Sequence, residues 1–462
     1  ELFCISIYLR YICKYRTIPT TMRNKLLLIC MLLLGACAKD ATPPATAPTP
    51  KTLSFRVPEE EALRQLDNVL DILDTPTRGG KRTVKEIFEH RSARTRSTDG
   101  STPNSLLYIV NFDDDQGYAV LAADSRLEPV LALIDSGVYT PSENYAEEPD
   151  LTEADLDEDE KDEFWCIGSN GPLTGTFRTI ELIEDYADGF ANPPYTIQKY
   201  GELVRQKQVG PYIQTKWGQR KPFNGMCNDD YFSYKSQDNY AGGCVAVALA
   251  QILAYHRNPQ SAYGHTYDWD KITGFTCNYP NAPQDVIFEV AHLVKAAGEA
   301  CRTKYGEENS GSTAYRAKKA LKYTFDYYGT HRHLSFAAKD IRNMLDNNSP
   351  VLIAGKPKRK LSGHAWVIDG YIYGYRKIIT EIYEDENYTK LKSTTEDNAS
   401  PTYYYHCNFG WSGDADGYYL GKVFDTVAGR ADVENNLDPG TNYSEHDYRW
   451  HFRTVTYNNP NK

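Results

Sequence analysis

The chain has 462 residues, room for two or three domains, and its 41% hydrophobic and 13% aromatic content excludes a disordered polymer. Its net charge is -11, but residues 141–163 hold twelve acids and one lysine, which accounts for all of it and leaves a neutral body. A neutral body without a basic stripe excludes nucleic acid as the natural partner. The ten cysteines include no C-x-x-C pair, so no zinc or dithiol motif is expected, and five beyond residue 200 leave at least one thiol unpaired there.

Residues 1–21 read as upstream read-through, with translation starting at Met22. Arg23 and Lys25 lead into an eleven-residue apolar run, Leu26 to Ala36, which fits the core of a secretory signal and is too short to span a bilayer. The run ends Leu34-Gly35-Ala36-Cys37, which resembles a bacterial lipobox. Residues 22–36 are therefore expected as a signal peptide and Cys37 as a lipidated residue, with 37–52 as a Pro/Thr tether. Ordinary cleavage after small residues is the alternative. On either reading the protein is exported, and on the first it is anchored at the outer membrane or cell surface.

Ala62, Leu63, Leu66, Val69, Leu70 and Leu73 recur at helical spacing and predict a helix ended before Pro76. Leu106–Phe112 and Tyr118–Ala123, joined by Asp113–Gly117, predict a hairpin, and Pro129 to Ile134 a third strand. The acidic block reads as a solvated loop, not a metal site. Ile180 to Phe190 reads as a helix, and from Pro193-Pro194 to about Pro211 periodicity breaks, which places a boundary near residue 205 and an exposed site for nicking.

In the second half, Cys244 to His256 predicts a helix buried on nearly all sides, entered through Gly242-Gly243. Pro350–Ala354, His364–Tyr373, Ile378–Tyr383, Tyr403–Asn408 and Gly417–Gly421 predict strands. Helices first and sheet later predict an α+β fold.

Cys244 opens the buried helix, where the peptide dipoles favour thiolate over thiol; it is a candidate nucleophile or a small buried hydrophobe. A thiolate nucleophile needs an imidazole. His256 lies about 18 Å down the same helix and is excluded. His364 begins an alternating strand after Gly363 and is the leading candidate, with His406 its rival. His331 and His333 read as an isolated surface pair, and His265 and His292 as histidines without supporting neighbours. Asn408, in the segment His406–Gly413 with Phe409 and Trp411, is either a turn residue or the amide that holds the second nitrogen of His364 behind aromatic rings.

The blocks Gly243–Ala246 with Ala250–Ile252 and Tyr255-His256, Gly363–Ala365 with Val367–Gly370, and His406–Gly413 with Asp416–Tyr418 resemble the streptopain family of bacterial cysteine peptidases. Upstream, Ala122–Leu131 with the helix and hairpin resembles that family's pro-domain. The resemblance implies a papain-like domain over 206–462, made as a zymogen behind a smaller α+β pro-domain over 53–205, with no cofactor or metal. It implies Cys244 as nucleophile, His364 as base and acid, Gln219 as oxyanion donor with the Cys244 N–H, and Ser312 and Gly363 as substrate contacts. Protein or peptide would be the substrate, and the pro-domain an intramolecular inhibitor. Phe409 stands where the family usually has Trp, and Ser412 where it has Gly. A cysteine amidase on cell-wall peptides and a catalytically dead, lipid-tethered binding protein are the competing readings.

Overall fold

A computed structural model describes residues 56–74, 80–91, 105–125, 127–139, 166–167, 196–227, 240–276, 281–306, 310–356, 363–384, 390–398, 401–421, 424–425, 447–448 and 450–461. Cys37, the signal segment, the acidic block and the helix expected at Ile180–Phe190 lie outside the described residues.

Helix α1 (Glu59–Leu73) buries Ala62, Leu66, Val69, Leu70 and Leu73, and carries Glu59, Glu60 and Glu61 in its first turn, where the helix dipole favours acids. It packs on the antiparallel strands β1 (Val84–Arg91), β2 (Ser105–Phe112), β3 (Tyr118–Ala122) and β4 (Val130–Ile134). The β2–β3 hairpin forms as expected, and its turn needs Gly117: φ is +88° and a Cβ there would fall 2.0 Å from the Ile134 carbonyl oxygen.

Next come β5 (Cys166–Ile167) and β6 (Thr196–Val209). β6 replaces the expected break between Pro193 and Pro211, and the boundary drawn at 205/206 falls inside it. From Lys199 on, Leu203 is its one fully buried residue, so its sequence shows no apolar face. Its backbone ladder to a later strand, Tyr371↔Val209 through Ile382↔Thr196, holds it instead.

The helical half contains α2 (Cys244–His256), a small hairpin β7 (Ser261–Ala262) and β8 (His265–Thr266), α3 (Trp269–Gly274) and α4 (Gln284–Ala300). It continues through β9 (Gly311–Ser312), α5 (Ala314–Tyr323), β10 (His331–His333) and α6 (Ala338–Asp346). The sheet half follows: β11 (Val351–Lys356), β12 (His364–Tyr383), β13 (Leu391–Asn398), β14 (Thr402–Asn408), β15 (Gly417–Leu420), β16 (Phe424–Asp425), β17 (Asp447–Tyr448) and β18 (Trp450–Thr456). This is the α+β order expected from the sequence.

The two strands expected at His364–Tyr373 and Ile378–Tyr383 are one 20-residue strand, β12. It spans both because it changes partners: β11 and β14 flank its first part, β6 and β13 its second. A 12-stranded sheet runs β1-β2-β3-β4-β15-β14-β12-β11-β18-β10, with β6 and β13 on β12. The junction β4–β15, Leu133↔Tyr418, joins the N-terminal strands to the C-terminal ones. Helix α2 lies at the centre of the core cluster against β11 and β12, with Val245, Leu249, Ile252 and Leu253 buried beside Val290, Val294, Leu352 and Val367.

Candidate active site

The fold brings Cys244 to His364. Gly243 enters α2 at φ +86°, a conformation that favours glycine, and starts the helix at Cys244. The Cys244 sulfur accepts hydrogen bonds from the N–H groups of Ala365, Val245 and Cys244 itself, so it lies one residue from the imidazole-bearing position of β12. Cys244 and His364 are each 1% exposed. Burial pushes the Cys244 thiol up to about 12, against those three N–H groups. This corrects the expectation of a thiolate set by the helix dipole: desolvation outweighs the dipole while the site is closed, and the sulfur rests as a thiol.

His364 Nε2 lies 2.9 Å from the carbonyl oxygen of Phe409. A carbonyl only accepts, so Nε2 carries the proton in the neutral ring and Nδ1 is the acceptor. The sequence reading gave this clamp to the Asn408 side chain, and the structure does not. Asn408 Oδ1 accepts from Gln251 Nε2 at 2.9 Å and from Gly410 N at 3.1 Å, while its Nδ2 donates to the Thr215 carbonyl at 3.0 Å. The amide therefore pins the turn that carries the Phe409 carbonyl. Gly410 takes φ +72° and the next residue but one, Ser412, φ +61°. Asn408→Ala would strip bonds from the buried Gln251 and Gly410 groups and is expected to cost about 1–3 kcal/mol, read as a lowered urea midpoint. A direct catalytic clamp would instead lower kcat with the midpoint unchanged.

Aromatic rings cover the imidazole. Trp411 lies nearest His364, at 4.6 Å between centroids and tilted by 31°, with Phe409 at 6.2 Å and Trp366 at 6.3 Å. An indole thus shields the imidazole even though Phe409 follows Asn408.

Gln219 is 3% exposed, and its backbone carbonyl accepts from Gly242 N at 2.8 Å, which ties its loop to the start of α2 beside Cys244. Ser312 and Gly363 face each other across β5: Cys166 pairs antiparallel with Ser312 and bridges Gly363 in parallel. Residues 166–167, from upstream of β6, therefore fill the gap between the two positions expected to touch substrate. Sequence reading missed Cys166, whose surroundings carry no periodic pattern.

The other histidines take structural places. His256 Nε2 lies 3.1 Å from Tyr457 Oη, and burial lowers its pKa to about 4. His265 and His292 do have neighbours: their rings stack at 4.1 Å and His265 Nε2 meets Glu289 at 3.0 Å. The His331 and His333 rings meet at 4.5 Å on β10, and His333 is only partly exposed, beside Asp340 at 3.9 Å. His406, the rival base, has Nδ1 2.6 Å from Asp369 and Nε2 3.0 Å from Asp135, with both nitrogens engaged away from the Cys244 sulfur. Among the described residues no group of three or more His, Cys, Asp or Glu is placed to hold a metal.

A cysteine at the head of a buried helix, met by a strand-borne histidine under aromatic cover, defines the architecture of a cysteine peptidase. Residues 217–419 match the Peptidase C10 family, and residues 61–151 match the Spi protease inhibitor family, so the chain carries a C10 peptidase domain behind an inhibitor-like pro-domain. It is 22% identical over 379 residues to the thiol protease/hemagglutinin PrtT of Porphyromonas gingivalis, covering 74% of this chain and 38% of that protein. It is 25% identical over 211 residues to streptopain of Streptococcus pyogenes, covering 39% of this chain and 45% of the relative. The chain thus spans less than half the length of either relative. Among solved structures, a fragment of Prevotella intermedia prointerpain A aligns with 80% of this chain and 98% of its own, at 18% identity and a TM-score of 0.45. Active interpain A aligns with 55% and 98%, at 22% identity and a TM-score of 0.38.

Proposed function

We propose that the chain is the zymogen of a cysteine endopeptidase that hydrolyses proteins or peptides through a thioester on Cys244. The observation that carries this reading is β5: the chain's own segment is paired with Ser312 and Gly363 and packs against α2 and β12, the two elements that carry the buried Cys244 and His364. Pairing on two edges takes an extended L-peptide backbone, which favours an endopeptidase over an amidase for stems rich in D-residues.

Once the segment leaves and water reaches the sulfur, desolvation no longer holds the thiol neutral. His364 Nδ1 takes the thiol proton and the sulfur attacks the scissile carbonyl. Gln219 and the Cys244 N–H face the developing oxyanion. The imidazolium, steadied through Nε2–H by the Phe409 carbonyl, protonates the leaving amine, and His364 then activates the water that hydrolyses the thioester. Gln219→Ala is expected to lower kcat by roughly 10²- to 10³-fold with little change in KM, measured on a fluorogenic peptide.

Iodoacetamide labelling of Cys244 tests the reading. The full chain is expected to label slowly at neutral pH, and the chain cut upstream of β6 to label rapidly and cleave casein. Equal labelling and equal casein cleavage by both forms would overturn it. The signal and Leu34–Cys37 segments support export and lipid anchoring as part of the same proposal, tested by metabolic labelling with a fatty acid and its loss in Cys37→Ala.

A further inference from the structure

A strand that only blocks the cleft needs a backbone and a small side chain, yet the residue placed between Ser312 and Gly363 is a cysteine. Cys166 is 0% exposed. The Cys244 sulfur takes the N–H of Ala365, two residues beyond Gly363, and both cysteines lie in one packed cluster. α2 contacts β5 directly, and a negative charge on Cys244 disfavours one on Cys166, as close neighbours do. Burial pushes the Cys166 thiol well above its ordinary value and a charge on Cys244 would add to this, with Arg453 and Lys356 offsetting only part of it, so in the closed cleft Cys166 rests as a thiol.

We propose that Cys166 and Cys244 form a disulfide in the unprocessed chain, making the cleft-filling segment a redox latch on the nucleophile. The proposal rests on the reading of Cys244 as nucleophile. The oxidant is a small-molecule disulfide such as oxidised glutathione. When β5 lifts from the cleft, solvent takes the Cys166 proton and the sulfur attacks one glutathione sulfur; one glutathione leaves with the electron pair of the broken S–S bond and is protonated from solvent, and a mixed disulfide forms on Cys166. The Cys244 sulfur, giving its proton to His364, then attacks the Cys166 sulfur and displaces the second glutathione, which takes up the proton. One S–S bond is formed and one broken; the protein is oxidised by two electrons and two glutathione thiols result. A dithiol reductant reverses the exchange. While latched, the sulfur of Cys244 has no thiol to offer a peptide carbonyl, and the segment stays tethered in the cleft even after the chain is cut elsewhere.

The test is peptide mapping of the full chain without reductant. After oxidised glutathione, free thiols are alkylated in denaturant and the digest is read by mass spectrometry. A Cys166–Cys244 linked peptide is expected in most molecules, with two fewer alkylated thiols, both reversed by dithiothreitol. Cys166→Ser and Cys166→Ala should give no linked peptide, with Cys244 recovered as the glutathione mixed disulfide. Linkage of Cys244 to Cys227 or Cys301, or only a mixed disulfide in the unaltered chain, would overturn the latch. The link is read without turnover. A linked but never active protein would refute the peptidase reading alone, and an active protein without the link would refute the latch alone.

Discussion

Cys244→Ala is expected to lower peptide turnover of the activated protein by roughly 10⁴-fold or more, and His364→Ala by a similar factor. Both groups act on one proton and one carbonyl, so their effects should not multiply. The double variant should retain about the same residual rate as either single one, sustained by binding and the oxyanion donors. Stability should barely move in Cys244→Ala, because a small buried side chain is exchanged for another, with a change within about 1 kcal/mol. His364 is different, since its ring packs against Trp411 and is bonded to the Phe409 carbonyl. His364→Ala should therefore lower the urea midpoint as well as turnover. These outcomes are measured on protein cut by an added protease, because an inactive variant cannot process itself. Cys244→Ala retaining turnover within tenfold of the unaltered protein would remove the sulfur from the chemistry.

The parts of this site legible in the sequence are those written as local pattern. The buried helix announced itself through nine apolar or small residues among the ten after Gly243, and its entry through two glycines. His364 was legible as the first residue of an alternating strand. The partners of Asn408 were not legible, because they depend on the crossing of α2 and β14, which places Gln251 and Thr215 around it. The state of the thiol was misread for a related reason. Position along a helix gives the dipole, while burial is a property of everything packed around it, including a two-residue strand from upstream. β6 went unseen because its stabilising bonds are backbone ones, which side-chain periodicity does not report.

The same limit hid the joint between the inhibitor-like region and the peptidase domain. Arg376, fully buried on β12, bonds Glu128, Gln65 Oε1 at 2.9 Å and the Gly201 carbonyl at 3.0 Å. Tyr404 Oη reaches Glu128 at 3.2 Å and the Val130 carbonyl at 3.0 Å. Asp135 N donates to the Asp416 carbonyl at 2.9 Å and the Asp135 carboxylate holds His406. Glu128 and Asp135 flank β4, so departure of the N-terminal strands would expose β15 as an edge strand, strip Arg376 of Glu128 and leave His406 with Asp369 alone. Buried charges that lose a partner are costly, which makes the joint a reason for cutting alone to leave the two parts associated.

Asp369→Asn should destabilise the unprocessed chain by a few kcal/mol at pH 6, roughly the worth of a pKa rise of several units, and by much less at pH 10. Burial alone would lower the His406 pKa, but the Asp369 charge and the bonds from Asp135 and Asp369 outweigh it and raise it from 6.5 to about 10. A group raised on folding stabilises fully below its unfolded value, and that contribution is lost as pH climbs through the folded one. The unaltered chain should therefore lose stability between about pH 6.5 and pH 10. Asp416 adds a lower limb, since burial raises it from 3.8 to about 7 against the Phe409 N–H, the His406 charge and Lys216. By the same sign its contribution is present below pH 3.8 and fades towards pH 7. Asn at position 369 still offers an oxygen to Ile213 N, which the carboxylate now accepts at 2.8 Å, but removes the charge and puts an NH2 group where Oδ1 now meets His406 Nδ1 at 2.6 Å. Urea midpoints taken from pH 6 to pH 10 should fall steeply in the unaltered chain and only gently in Asp369→Asn, while Asp416→Asn should flatten the limb between pH 4 and pH 7 instead. Parallel curves for Asp369→Asn and the unaltered chain above pH 6.5 would mean that His406 is not held charged by Asp369 and that the joint draws its strength from the Arg376 cluster.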